Sequence, residues 1–117
     1  MHIVREKVTE LRRREDARFI HERPRSMARL QDARRCMPGG VPMSWMVTAY
    51  AHAPFFVQDA KGTYITDIDG HRYLDMNLAD TSMSSGYGSE PVAEAVRSQF
   101  LRGSQFMLPT EDSVVVC

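Results

Sequence analysis

Three carboxylates, Asp67, Asp69 and Asp75, crowd the stretch KGTYITDIDGHRYLDM from Lys61 to Met76. This spacing invites comparison with a calcium loop. Such a loop takes oxygen ligands from its first, third and fifth positions, Gly at the sixth and a bidentate Glu at the twelfth. Counted from Asp67, the fifth position is His71, the sixth Arg72 and the twelfth Leu78, so the pattern fails at three of those five positions. Other reactive side chains are sparse. The only lysines are Lys7, in a charged segment, and Lys61, beside Gly62 where exposure is expected. His71 has no second His or Cys at metal-ligand spacing. Cys36 and Cys117 make no disulfide framework, and Cys36 reads as a small buried hydrophobe.

The acids fit a turn better than a metal loop. Asp69-Gly70 is a hairpin dipeptide, because Gly takes positive φ without steric cost and Asp tolerates it. Tyr64, Thr66 and Ile68 alternate with Ile65 and Asp67 before the turn. Leu74, Met76 and Leu78 alternate with Tyr73, Asp75 and Asn77 after it. A period of two on both flanks predicts a β-hairpin with the acids at its surface and turn, and an exposed His71.

The elements around the hairpin follow from pattern and punctuation. Val4, Val8 and Leu11 give helical spacing within residues 3–22, and Pro24 ends or kinks that helix. A second helix is expected from Arg25 to Arg35, with Met27, Leu30 and Ala33 or Ala28 inward, closed by the turn MPGGVP. SWMVTAY and PFFVQDA read as short extended pieces, and ADTSMSSGYGSE as a loop. Ser89 and Pro91 predict a helix start, with Val92, Val96, Phe100 and Leu101 as its inner face and Gly103 as its stop. Thr110 with Glu111 and Asp112 announces a further helix, with Val114 to Val116 opening a buried face.

With 117 residues, this chain makes one domain at most. Fifteen basic and fifteen acidic side chains balance, so no global field points to nucleic acid. Eleven of the bases precede Cys36, against six acids. The run mixes both signs, as a solvated helix does, and a nucleic-acid-binding arm is the weaker reading. No apolar h-region opens the chain and no apolar run is long enough to span a bilayer, so a cytoplasmic setting is the default expectation. A helix announced and stopped after one turn is unstable alone. Without the polar front helices, roughly eighty residues remain for a core, the size at which burial and chain entropy nearly cancel. A large exposed apolar patch and a longer parent polypeptide are therefore expected.

Four stretches, ARRCMPGGVPMSW, VQDAKGTYITDIDGHRYLDM, PVAEAVRSQFLRG and MLPTED, together resemble the N-terminal part of class III pyridoxal-phosphate aminotransferases, in their glutamate-1-semialdehyde aminomutase-like branch. The resemblance implies an α+β fragment of the fold type I PLP-dependent transferase architecture: a helical arm over 1–35, a small antiparallel-sheet subdomain with its hairpin and active-site loop over 36–88, and a helix leading to the large domain over 89–117. It also implies a pyridoxal 5'-phosphate enzyme acting on an amino-acid-like substrate as a homodimer, with no nucleic acid or membrane partner. The family's lysine, pyridinium acid and phosphate turn fall beyond this chain, so no catalytic or cofactor-binding residue is assigned within it.

Ser44 and Trp45 resemble the family's substrate-entrance stretch, with the core as the other place for Trp45. Asp80, Thr81 and Ser82 fall in the loop at the mouth of the site, where an ordinary loop is the alternative. SWMVTAY lacks the arginine that several relatives use to grip a carboxylate, and Tyr87 stands where many have His. A rival reading is a non-catalytic module that docks on a full-length aminotransferase or another protein.

Overall fold

A computed structural model describes residues 4–117. Two helices, α1 (Arg5–His21) and α2 (Pro24–Ala33), form the arm. Residue 3, where the predicted first helix begins, lies outside the described residues. Pro24 follows the end of α1, as the sequence suggests, and itself takes the first turn of α2, one residue before the expected start, where its missing N–H is not needed. A 3₁₀ turn at Pro38–Gly40 follows. Gly40 sits at φ 77°, and a Cβ there would lie 2.6 Å from Leu30 Cδ1. Only glycine lets the turn fold this closely onto α2. Leu30, Ala33 and Val41 are the buried apolar side chains at this junction.

The sheet is an antiparallel meander of β1 (Val57–Lys61), β2 (Tyr64–Asp67) and β3 (Arg72–Leu74). Ala60 pairs with Ile65, and Ile65 with Tyr73, with a bulge between Val57 and Asp59. At the predicted turn the Gly70 amide donates to the Asp67 carbonyl at 3.0 Å, and the Asp67 amide to the His71 carbonyl at 2.9 Å. Gly70 has φ 94°. This is a three-residue hairpin loop closed by a left-handed glycine.

Four local expectations are corrected. SWMVTAY is not extended: its centre is a single helical turn, α3 (Trp45–Thr48). The third strand stops at Leu74. Met76 is 86% exposed and Leu78 takes φ 50°, because the chain turns away there instead of pairing. Cys36 is exposed, not buried, because it lies past the last buried turn of α2, with Sγ 3.5 Å from the Ala33 carbonyl. Ser89 and Thr110 do not act as side-chain caps. Ser89 is the N-cap of α4 (Glu90–Arg102) but makes no capping bond, and the N-cap of α5 (Asp112–Val115) is Glu111.

Neither α4 nor α5 has a buried residue. Val92, Val96, Phe100 and Leu101, the expected inner face, are all exposed, as are Val114 to Val116. The accessible surface is 9967 Å², against about 6,500 Å² for a compact protein of this mass. The radius of gyration is 20.1 Å, where about 13 Å is usual for this length. Many large apolar side chains are thus exposed, as expected. No described helix is long and apolar enough to cross a membrane.

Candidate functional site

The most organised polar cluster lies where the arm meets the hairpin. Asp67 ends β2 facing inward and is fully buried. Its Oδ1 accepts the amides of Asp69 (3.0 Å) and His71 (2.8 Å), and its Oδ2 accepts the Tyr73 hydroxyl (2.7 Å). The His71 ring nitrogen Nδ1 lies 3.1 Å from Oδ2. Arg23, from the joint between α1 and α2, donates Nε to the Tyr73 hydroxyl (2.8 Å) and another nitrogen to the Phe19 carbonyl (3.0 Å), with its guanidinium 3.8 Å above the Phe19 ring. Arg23 Nε also lies 3.5 Å from Asp67 Oδ2.

Burial pushes the Asp67 carboxyl up, but the hydrogen bonds from Tyr73 and His71 and the His71 charge outweigh it, so the group is held below the usual aspartate range. Burial and the bond to Asp67 raise the Tyr73 hydroxyl, against the pull of Arg23. Asp69 reaches across to the arm. Its two oxygens accept the Arg25 and Ser26 amides at 2.8 and 2.9 Å, capping α2 from 44 and 43 residues away. Burial raises its carboxyl less than Ser26 and Arg25 lower it.

Asp67 therefore closes the turn from a buried position, not from the surface as the alternation suggested, and Asp69 ties the turn to α2. Asp67 occupies the drier face of β2, where only a fully bonded carboxylate can sit, and His71 is half-buried beside it rather than exposed. The metal reading fails a second time, since the acid oxygens are turned onto protein donors. Arg23 and Tyr73 were missed. The available signal was a second acid, Asp67, two residues before the turn Asp69-Gly70 and six before an aromatic hydroxyl.

The second feature is the segment after β3. Leu78, Ala79, Asp80 and Thr81 all have positive φ, from 50° to 65°. Each non-glycine residue in this conformation costs about 1–2 kcal/mol, and such strain concentrates at functional segments. Local bonds hold the turn. The Thr81 amide donates to the Asn77 carbonyl (3.0 Å), Asn77 Nδ2 to Asp80 Oδ1 (3.0 Å), and the Asp80 amide to Asn77 Oδ1. Asp75 Oδ1 accepts the amides of Asn77 (2.8 Å) and Leu78 (3.0 Å), and its Oδ2 accepts the Tyr87 hydroxyl (2.6 Å). These bonds, Tyr87 first, hold the Asp75 carboxyl below its ordinary value, and Asp75 in turn raises the Tyr87 hydroxyl.

The third is the strip from Met43 to Tyr50, which carries no Asp, Glu, Lys or Arg. Ser44 is exposed and starts α3, its carbonyl accepting the Val47 and Thr48 amides. Trp45 is 45% exposed among the described residues. Its Nε1 lies 3.4 Å from Met43 Sδ, and its ring 6.4 Å from that of Tyr50. Among the described residues no hydrogen bond joins Ser44 or Trp45 to Asp80 or Thr81. The four predicted contact residues thus form two exposed groups.

The model of the family described as Aminotransferase class-III matches residues 46–116. The chain belongs to the class III aminotransferase family. Among its class III relatives, the glutamate-1-semialdehyde 2,1-aminomutase of Methanobrevibacter smithii is 36% identical over 86 residues, 74% of this chain and 20% of that protein. The Syntrophobacter fumaroxidans enzyme of the same name is 37% identical over 93 residues, 79% of this chain and 22% of its own. Among solved structures, a glutamate-1-semialdehyde aminomutase from Pseudomonas aeruginosa in complex with PMP superposes with a TM-score of 0.88 at 38% identity, over 99% of this chain and 26% of that one. An omega-transaminase from Sphaerobacter thermophilus gives 0.68 at 29%, over 76% and 20%. The chain thus spans about a fifth to a quarter of the length of these relatives.

The residues of this class III chain do not themselves fit pyridoxal phosphate. Lys7 and Lys61 are both exposed, and neither lies in the apolar pocket that would make an amine nucleophilic. Gly86-Tyr87-Gly88 precedes a helix like a phosphate cradle, but the Gly86 amide is bonded to the Met83 carbonyl (2.7 Å) and the Tyr87 amide to the Gly62 carbonyl (2.8 Å). A phosphate would find those donors taken.

Proposed function

We propose that this chain is the front portion of a pyridoxal 5'-phosphate enzyme of the glutamate-1-semialdehyde aminomutase-like branch. The enzyme moves an amino group on an amino-acid-like substrate and works as a homodimer. The cofactor supplies the group that carries the amine, and the lysine that holds it comes from outside these residues. Here the arm and sheet form a scaffold locked at Asp67, while Ser44, Trp45, Asp80 and Thr81 face the substrate. The observation that carries this reading is the superposition on a solved aminomutase over 99% of the chain at 38% identity.

In this reading Asp80 and Thr81 offer a carboxylate and a hydroxyl to polar groups of the substrate, and Trp45 covers its apolar part. Strip 43–50 contains no arginine, so any substrate carboxylate is gripped elsewhere.

The test is the native product in its source cells. Its intact mass is measured, and its acid-released cofactor is assayed. A mass several times that of this chain, with pyridoxal phosphate released in proportion, is expected. A mass equal to this chain with no cofactor refutes the proposal and leaves a docking module.

A further inference from the structure

Tyr87 is tied down in two independent ways. Its backbone forms an isolated bridge to Gly62, with amide-to-carbonyl bonds of 2.8 Å in both directions. Its hydroxyl reaches back twelve residues to Asp75 Oδ2 at 2.6 Å. Asp75 is in turn fixed by its own amide, which donates to the Thr63 carbonyl at 2.8 Å. Its other oxygen accepts the two amides that open the left-handed turn, those of Asn77 and Leu78. A carboxylate held at both oxygens cannot rotate about its last bond, so the direction in which Asp75 presents Oδ1 is set by Tyr87. The four left-handed residues that follow are intrinsically unfavourable and persist only while the surroundings over-determine them. The Tyr87–Asp75 bond closes the loop at its far end and templates its start.

We propose that Tyr87 is a positioning residue: acting through Asp75, it holds the strained turn Leu78–Thr81 in the left-handed form that presents Asp80 and Thr81 to the substrate. The substrate half of this inference rests on the proposed function above, whereas the latch itself rests on geometry alone. Substitution of Tyr87 by Phe isolates the effect, because it deletes only the hydroxyl and leaves the backbone bridge to Gly62 in place.

The experiment uses the polypeptide as it occurs in its source cells. It compares Tyr87→Phe, Asp75→Asn and the double variant, with glutamate 1-semialdehyde and L-alanine as probe donors. The amides of Asn77, Leu78 and Thr81 are expected to exchange with solvent about tenfold faster in each single variant, as for loss of one partly exposed charge-assisted hydrogen bond. The double variant is expected to be no faster, because the two side chains act as one unit. The Gly62 amide, held by the backbone bridge, serves as the internal control and keeps its rate. KM for the donor turned over rises while kcat stays within about twofold, the signature of lost binding common to ground and transition states.

Unchanged exchange in Tyr87→Phe overturns the latch. Faster exchange with unchanged KM overturns the link to substrate, and Asp80→Ala made in parallel separates the two failures. If Asp80→Ala raises KM, the loop is still part of the site and only the role of Tyr87 falls. If it does not, the reading of the loop as part of the site falls too.

Discussion

Asp67→Ala is the substitution with the largest expected effect. The carboxylate is fully buried and accepts bonds from two backbone amides and the Tyr73 hydroxyl, with the His71 ring and the buried Arg23 guanidinium beside it. Arg23 keeps the Tyr73 hydroxyl and the Phe19 carbonyl as partners, but it loses the negative charge that compensates its own burial. Removing one member of a buried pair costs about 3–5 kcal/mol, since the other charge stays behind uncompensated. That is a large share of the roughly 5–15 kcal/mol by which a domain is stable. Asp67→Asn keeps an acceptor for the two amides but loses the charge opposite Arg23, so about 1–3 kcal/mol is expected. The assay is urea unfolding followed by circular dichroism, with amide exchange at Arg25 and Ser26 reporting attachment of the arm through Asp69. A cost below about 1 kcal/mol for Asp67→Ala, the level of an ordinary surface change, refutes the view that this network joins arm to sheet.

Removing the Asp69 side chain with Asp69→Ala uncaps α2 across the junction, and a loss of about 1–2 kcal/mol with faster exchange at Arg25 and Ser26 is expected. Gly40→Ala forces a Cβ to within 2.6 Å of Leu30 Cδ1 at φ 77°; thermal unfolding should show a loss of about 1–3 kcal/mol. Acid titration followed by arm helicity has a defined sign. Asp67 and Asp69 are both depressed in the fold, so their stabilisation is complete above the ordinary aspartate value of about 3.9 and is lost as pH falls through the lower folded values. Tyr73 is raised, so its contribution is present below about 10 and is lost as pH climbs through its folded value. Trp45→Ala removes an exposed ring and is expected to raise KM for the amino donor with little change in the urea midpoint. A shifted midpoint with unchanged KM would place Trp45 in packing instead.

Much of the local structure was legible because its causes are local. Pro24 marks the end of α1 because proline cannot continue a helix, Gly70 closes a hairpin because it accepts φ 94°, and Gly103 stops α4 at φ 103°. None of these needs a distant partner. The family resemblance was legible for a related reason, since four such local signatures stand in order along one chain. The period of two was right for the hairpin up to Leu74 and wrong beyond it. Alternation marks a strand only while a neighbour exists to pair with, and past Leu74 the chain leaves the sheet.

Tertiary structure decided the roles of the acids and of the apolar faces. Asp67 looks like any turn acid in sequence. What makes it the buried centre of the junction is Arg23, 44 residues earlier, whose position depends on how α1 and α2 bend at Glu22 and Pro24. Asp69 caps a helix that begins 45 residues before it, a relation that no spacing rule encodes. The left-handed turn at Leu78–Thr81 is invisible in composition, because only Asp80 of its four residues is of a kind that tolerates positive φ; Asp75 and Tyr87 hold it from outside. The apolar stripe of α4 was read correctly as a stripe, yet nothing among the described residues covers it. Periodicity states which side chains share a face. Only packing, a sum over residues far apart in the chain, states what that face meets.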